Sequence, residues 1–170
     1  MIEILVLLLF PWAMAYAAAS DLFTMTISNR ISLALVAGFL VLAFANGMDW
    51  QTIGLHFAAA GIMLAVAFVF FAMGWIGGGD AKLAAAVALW LGWNQAFSYA
   101  VTSSILGGLL TLAILVLRSD YADRLVPEWS WVQRLRRRDA GVPYGIALAY
   151  TGLAMYPDTP WMQGLLTTLS

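Results

Sequence analysis

Long uncharged stretches separated by isolated charged residues set the pattern of this chain: residues 4–20, 31–48, 50–79, 83–117 and 140–157 contain no Asp, Glu, Lys or Arg. A helix that crosses a bilayer needs about 20 apolar residues, so most of these stretches have single-helix length. The stretch 83–117 is too long for one helix, and Gly92-Trp93-Asn94-Gln95 in its middle predicts a turn. The pattern therefore predicts an all-α polytopic membrane protein of about six transmembrane helices, near 2–20, 31–47, 52–73, 81–94, 97–117 and 142–157. They form a single membrane-embedded domain over 1–170, with a loop at 118–139 and a tail at 158–170 on the far surface.

Composition supports that solvent. Of the 170 residues 63% are hydrophobic and 10% charged, with a mean hydropathy of +0.87, whereas a soluble domain carries about 25% charge. No length remains for a second folded domain, and nucleic-acid binding is excluded. The net charge of −1 hides a lopsided distribution. All eight basic residues fall in the first, third and fifth loops: Arg30, then Lys82, then Arg118, Arg124, Arg134, Arg136, Arg137 and Arg138. The positive-inside rule places these loops in the cytoplasm and both termini outside, beside Glu3, Asp49 and Asp158. Ala15-Tyr16-Ala17 has the small residues of a signal-peptide cleavage site, but Glu3 is the only charge before it, so a retained first helix is expected. In the fifth loop Trp129, Trp131, Val132 and Leu135 alternate with arginines, the pattern of an interfacial amphipathic helix held flat on anionic lipid.

The chain has no cysteine and one histidine, His56, too few ligands for the usual metal sites, so no metal and no cofactor are expected. His56 reads as a hydrogen-bonded packing residue, and Gly74 and Gly78 as a small-residue pair for close helix packing. Most acids lie in loops, where water reaches them. Asp21 and Asp80 differ, because each sits where an apolar helix meets the cytoplasmic boundary, 59 positions apart in sequence. Asp80 can cap the helix it opens. Asp21 follows a helix C-terminus, where a carboxylate opposes the dipole and capping explains it poorly. Two carboxylates within about 4 Å repel by about 4 kcal/mol at an effective dielectric of 20 and share one proton. Such a pair can activate water and protonate a leaving amine without a metal.

At these residues the sequence resembles the type IV prepilin peptidases, membrane aspartic endopeptidases of the GxGD type. Gly77-Gly78-Gly79-Asp80-Ala81-Lys82-Leu83 is similar to that family's G-x-G-D-x-K-L signature. Asp21, followed six residues later by Ile27-Ser28-Asn29, resembles the pattern of an aspartate before Ile-Pro-Asn, with Ser28 in place of proline. Val142-Pro143-Tyr144-Gly145 resembles the opening of the family's last helix. The resemblance implies catalytic roles for Asp21 and Asp80 and a supporting active-site loop with Gly77, Gly79 and Lys82. It also implies removal of a prepilin or pseudopilin leader, after a glycine, at the cytoplasmic face of the bacterial inner membrane. The partners implied are the substrate helix and membrane lipid. The cysteine-bearing insertion of longer, N-methylating members is missing, which resembles the short branch serving tight-adherence (Flp) pili. Two other readings of the acids stay open: a small pore or transporter subunit with an ion-binding aspartate pair, and a presenilin-like protease, although Ser20 stands where that family has tyrosine.

Overall fold

The computed structural model describes residues 2–119, 129–137 and 139–169, with side chains described within 7–164. Its helices are α1 (Ile2–Thr24), α2 (Asn29–Ala45), α3 (Trp50–Ala72), α4 (Gly78–Leu91), α5 (Trp93–Leu117), α6 (Ser130–Arg136), α7 (Tyr144–Met155) and α8 (Pro160–Leu169). There is no strand among the described residues. Three helices are long and apolar enough to cross a membrane: Leu7–Thr24 of α1, Trp50–Ala72 and Trp93–Leu117. Of the other expected spans, α2 is apolar but has 17 residues, α4 has 14 and α7 has 12. At about 1.5 Å per residue α4 is about 21 Å long and α7 about 18 Å, short of a hydrocarbon core of about 30 Å.

Of these, α4 and α7 are mostly buried in the bundle. α4 packs against α2, α3, α5 and α7, and every residue from Leu83 to Leu91 is buried. Four of those nine positions are alanine, which lets neighbouring backbones approach closely. A layer of large side chains, Phe10, Met14, Phe39, Trp90 and Tyr99, fills the bundle, each fully buried. Their polar ends are satisfied by backbone: the Trp90 indole donates to the Leu35 carbonyl at 2.9 Å and the Tyr99 hydroxyl to that of Leu148 at 3.3 Å. His56 is a packing residue, as its sequence position implied, with Nδ1 2.6 Å from the Leu89 carbonyl oxygen. Trp161 of α8 is buried and its indole donates to the Trp90 carbonyl at 3.0 Å, because an aromatic ring with one donor fits the layer at the end of α4.

Local chemistry fixes the helix ends. Ser28 caps α2, accepting from the Arg30 amide at 3.3 Å, so serine does the work expected of proline at this start. Asp49 caps α3 through the Thr52 amide (2.9 Å) and hydroxyl (2.6 Å), bonds that hold its carboxyl below the usual range. α3 stops at Gly74, whose φ of +75° lets the Gly74 and Trp75 amides turn back onto the carbonyls of Phe71 and Phe70. Gly74 thus ends one helix and Gly78 begins the next, so they form no packing pair on one helix face. The turn expected over 92–95 is confined to Gly92, and α5 begins at Trp93.

The fifth loop is described only in part: residues 120–128 and 138, with Arg124 and Arg138, lie outside the described residues. Within it α6 buries Val132 and Leu135 and sets Trp131 edge-on to Phe23 with centroids 5.8 Å apart. Its arginines bind main-chain carbonyls. Arg134 donates to the Phe23 carbonyl and Arg136 to that of Leu117 at 3.2 Å, both at helix ends where carbonyls lack intrahelical partners. Arg118 closes the loop from the other side, donating to the carbonyls of Leu135 (2.7 Å), Ala140 (2.8 Å) and Gly141 (2.9 Å).

Candidate active site

α1 continues to Thr24, beyond the end expected at 20, so Asp21 occupies its last turn rather than the residue after it. Met25 then takes a left-handed conformation (φ 55°) and reverses the chain. Hydroxyls hold the reversal: Ser20 Oγ donates to the Thr26 carbonyl at 2.7 Å, Thr24 Oγ1 donates to the Ser20 carbonyl at 2.6 Å, and the Thr24 and Thr26 hydroxyls lie 2.7 Å apart. The result seats Ile27 beside two glycines. A Cβ on Gly79 would lie 3.1 Å from Ile27 Cβ, and one on Gly145 would lie 2.5 Å from Ile27 Cδ1. The six-residue spacing from Asp21 to Ile27 is thus the length of one helix-ending reversal.

Asp21 is 5% exposed and belongs electrostatically to α7 rather than to α1. The Gly145 amide, in the first turn of α7, donates to Asp21 Oδ2 at 2.7 Å. First-turn amides have no partner in their own helix and carry the positive end of its dipole. A side chain at Gly145 has no room, since its Cβ would meet Asp21 Oδ2 at 2.8 Å.

Asp80, 8% exposed, stands at the third position of α4. Its Oδ2 accepts from the Gly77 amide at 3.0 Å, so one oxygen performs the capping expected of an acid at a helix start. Its Oδ1 is buried with no hydrogen-bond partner, which an acid acting only as a cap does not need. The Asp80 and Asp21 carboxyls are near enough for their charges to interact, and the Gly145 amide lies beside both. Three helix ends therefore meet at one point: the carboxyl end of α1 and the amino ends of α4 and α7.

The other residues singled out by sequence fall around this point. Gly77 supplies the amide under Asp80, and Gly79 gives Ile27 its space. Lys82 turns to the side and donates to Asn29 Oδ1 at 2.9 Å, tying α4 to the start of α2. Gly145 and Ile27 are site residues that sequence reasoning did not assign a role. Among the described residues no group of three or more His, Cys, Asp or Glu side chains could hold a metal ion. A protein-family model, the type IV leader peptidase family, matches residues 8–112. No curated protein and no solved structure shows significant similarity to the chain. The match covers well over half of the 170 residues and contains both Asp21 and Asp80, and the chain belongs to the type IV leader peptidase family.

Proposed function

We propose that this protein is a membrane aspartic endopeptidase that removes the short leader of a prepilin or pseudopilin at the cytoplasmic membrane face. The observation that carries the reading is the convergence of Asp21 and Asp80, from helices far apart in sequence, with Asp80 Oδ1 buried and unpartnered, in a chain of a leader-peptidase family. In the mechanism one carboxylate takes a proton from water as its oxygen attacks the scissile carbonyl carbon. The other carboxyl, protonated, hydrogen-bonds the carbonyl oxygen. Collapse of the tetrahedral intermediate breaks the C–N bond, and the proton taken from water passes to the departing amine, which becomes the mature N-terminus. The Gly145 amide holds Asp21 in place throughout. Membership of the short branch serving tight-adherence (Flp) pili, and the bacterial inner membrane as the location, belong to the same reading. An ion-conducting aspartate pair fits less well, since both acids sit at helix ends rather than along a path through the bundle.

The test is cleavage of a co-expressed prepilin, followed by the mobility of the shortened product. Asp21→Asn and Asp80→Asn should each abolish cleavage while the protein accumulates in the membrane at the wild-type level. Asparagine keeps volume and capping oxygen but cannot cycle a proton, a loss on the order of 10² to 10⁴-fold. Asp49→Asn retains the α3 cap and should leave cleavage intact. Substantial cleavage by either site variant at normal protein level overturns the two-aspartate mechanism.

A further inference from the structure

On the lipid-facing side of Asp80 the bundle opens into a groove between α3 and α5. Two hollows make it up, sharing Met63, Val66 and Ala100 as walls. The wider, of about 430 Å³, lies toward Trp93 and Phe97. The narrower, of about 90 Å³, reaches Asp80. Along α5 the groove runs from Trp93 to Ser104, about 16 Å at 1.5 Å per residue, or three helical turns. Beside Trp93 and Phe97, the α5 wall has small residues on successive turns, Ala96, Ala100 and Ser103, where an incoming helix can approach closely. The Ser103 and Ser104 hydroxyls donate to the Ala100 carbonyl of their own helix, at 3.2 and 2.7 Å, and present little unmet polarity to the groove.

We infer that this α3–α5 groove receives the apolar helix of the substrate and delivers its first residues, unwound, to Asp80. The inference rests on the leader-peptidase reading and adds the route by which substrate reaches the site. The wide part suits packing against a helix about 10 Å across. The narrow part takes only extended backbone, the form a peptide bond needs for attack from either face. Its inner end is lined by Asp80, whose buried Oδ1 makes no hydrogen bond to the fold. Charge selects the occupant. No basic residue lines either hollow, so an anionic lipid headgroup is repelled from the carboxyl end, whereas a substrate with a basic leader is drawn to it. The cleft on the opposite side of α3, between α2 and α3, ends instead on Lys82 and Asn29 and offers no carboxylate.

Because the chain has no cysteine, an introduced one is its only thiol. The probe is a peptide with a Lys-rich leader ending in glycine, followed by an apolar helix of about 20 residues that carries one cysteine in its second turn. In vesicles, Ala100→Cys in the cleavage-deficient Asp80→Asn protein should form an oxidative crosslink to this probe, and Gly61→Cys in the α2–α3 cleft should not. In the otherwise wild-type protein, Ala100→Trp should slow cleavage of the probe on the order of 100-fold, by holding the peptide away from the carboxyls. Absence of the Ala100→Cys adduct, or a preferred adduct through Gly61→Cys, overturns the groove whatever Ala100→Trp does. If the wild-type protein cleaves and Ala100→Trp cleaves equally fast, the groove again fails alone. If the wild-type protein leaves the probe intact, the leader-peptidase reading itself fails and takes the groove with it.

Discussion

At the scale of single residues, the site depends on the absence of a side chain at position 145. Gly145→Ala introduces a Cβ 2.8 Å from Asp21 Oδ2 and 2.5 Å from Ile27 Cδ1, so either the carboxyl or the reversal after α1 must shift. A misplacement of about 1 Å at a reacting group costs on the order of 100-fold, which is the expected loss of leader cleavage. Shortening the neighbour as well, in Gly145→Ala with Ile27→Val, removes the closer contact and should recover part of the rate. Gly54→Ala is the comparison, since a Cβ there meets nothing within 4 Å. Equal cleavage by Gly145→Ala and wild type would mean that Asp21 needs no fixed position. The pair Asp21 and Asp80 was legible in sequence because an acid at the end of an apolar helix is costly enough to require a reason. Its anchor was not, because the bond from Gly145 to Asp21 spans 124 positions and leaves no local pattern. The same residues bear on metal. With no group of three potential ligands among the described residues, cleavage should persist in EDTA, and activity lost to chelation and restored by zinc or magnesium would replace the proton-cycling pair with a carboxylate-bound ion.

At the scale of elements, the fifth loop shows where hydrophobic pattern stops being informative. The alternation of tryptophans and arginines correctly marked a short helix in 130–136, but not what the arginines hold. Main-chain carbonyls have no sequence signature, so the three bonds from Arg118 and those from Arg134 and Arg136 to helix ends could not be read in advance. Arg118→Ala leaves the carbonyls of Leu135, Ala140 and Gly141 without their charged donor, and hydrogen bonds to charged groups contribute about 1.5–3 kcal/mol each. The segment leading into α7, and with it Gly145, should loosen. The expected outcome is faster proteolysis near 139–142 in detergent, accompanied by weaker cleavage of prepilin. Arg137→Ala is the contrasting case. Its partner Asp139 is 2.5 Å away, but both side chains are about two-thirds exposed, so water replaces the pair and proteolysis should not change. Equal protease resistance of all three proteins would remove the brace from the account.

At the scale of the molecule, the arrangement of long and short helices bears on where the site lies in the membrane. Helices α1, α3 and α5 have the length and apolarity to cross, while α4 and α7, too short to do so alone, start together at the aspartates. Charge spacing, with the turn at Gly92, marked where apolar helices lie. It could not reveal that two of them are internal, because a buried helix and a lipid-facing one are equally apolar. Lys82, Arg118 and α6 lie at or next to the same end of the bundle as Asp21 and Asp80, through Asn29, Leu117 and Phe23. By the positive-inside rule we predict that this end, and the carboxyls with it, faces the cytoplasm. The prediction is tested with single thiols in a chain that has none. Ser130→Cys at α6 should react with a membrane-impermeant maleimide only after cells are lysed, and Gln51→Cys at the opposite end of α3 should react in intact cells. Both positions are exposed, so lack of access in the folded protein does not limit either reaction. The reverse result would place the aspartates on the outer face, where a leader still attached on the cytoplasmic side cannot reach them, and prepilin processing would no longer fit the molecule.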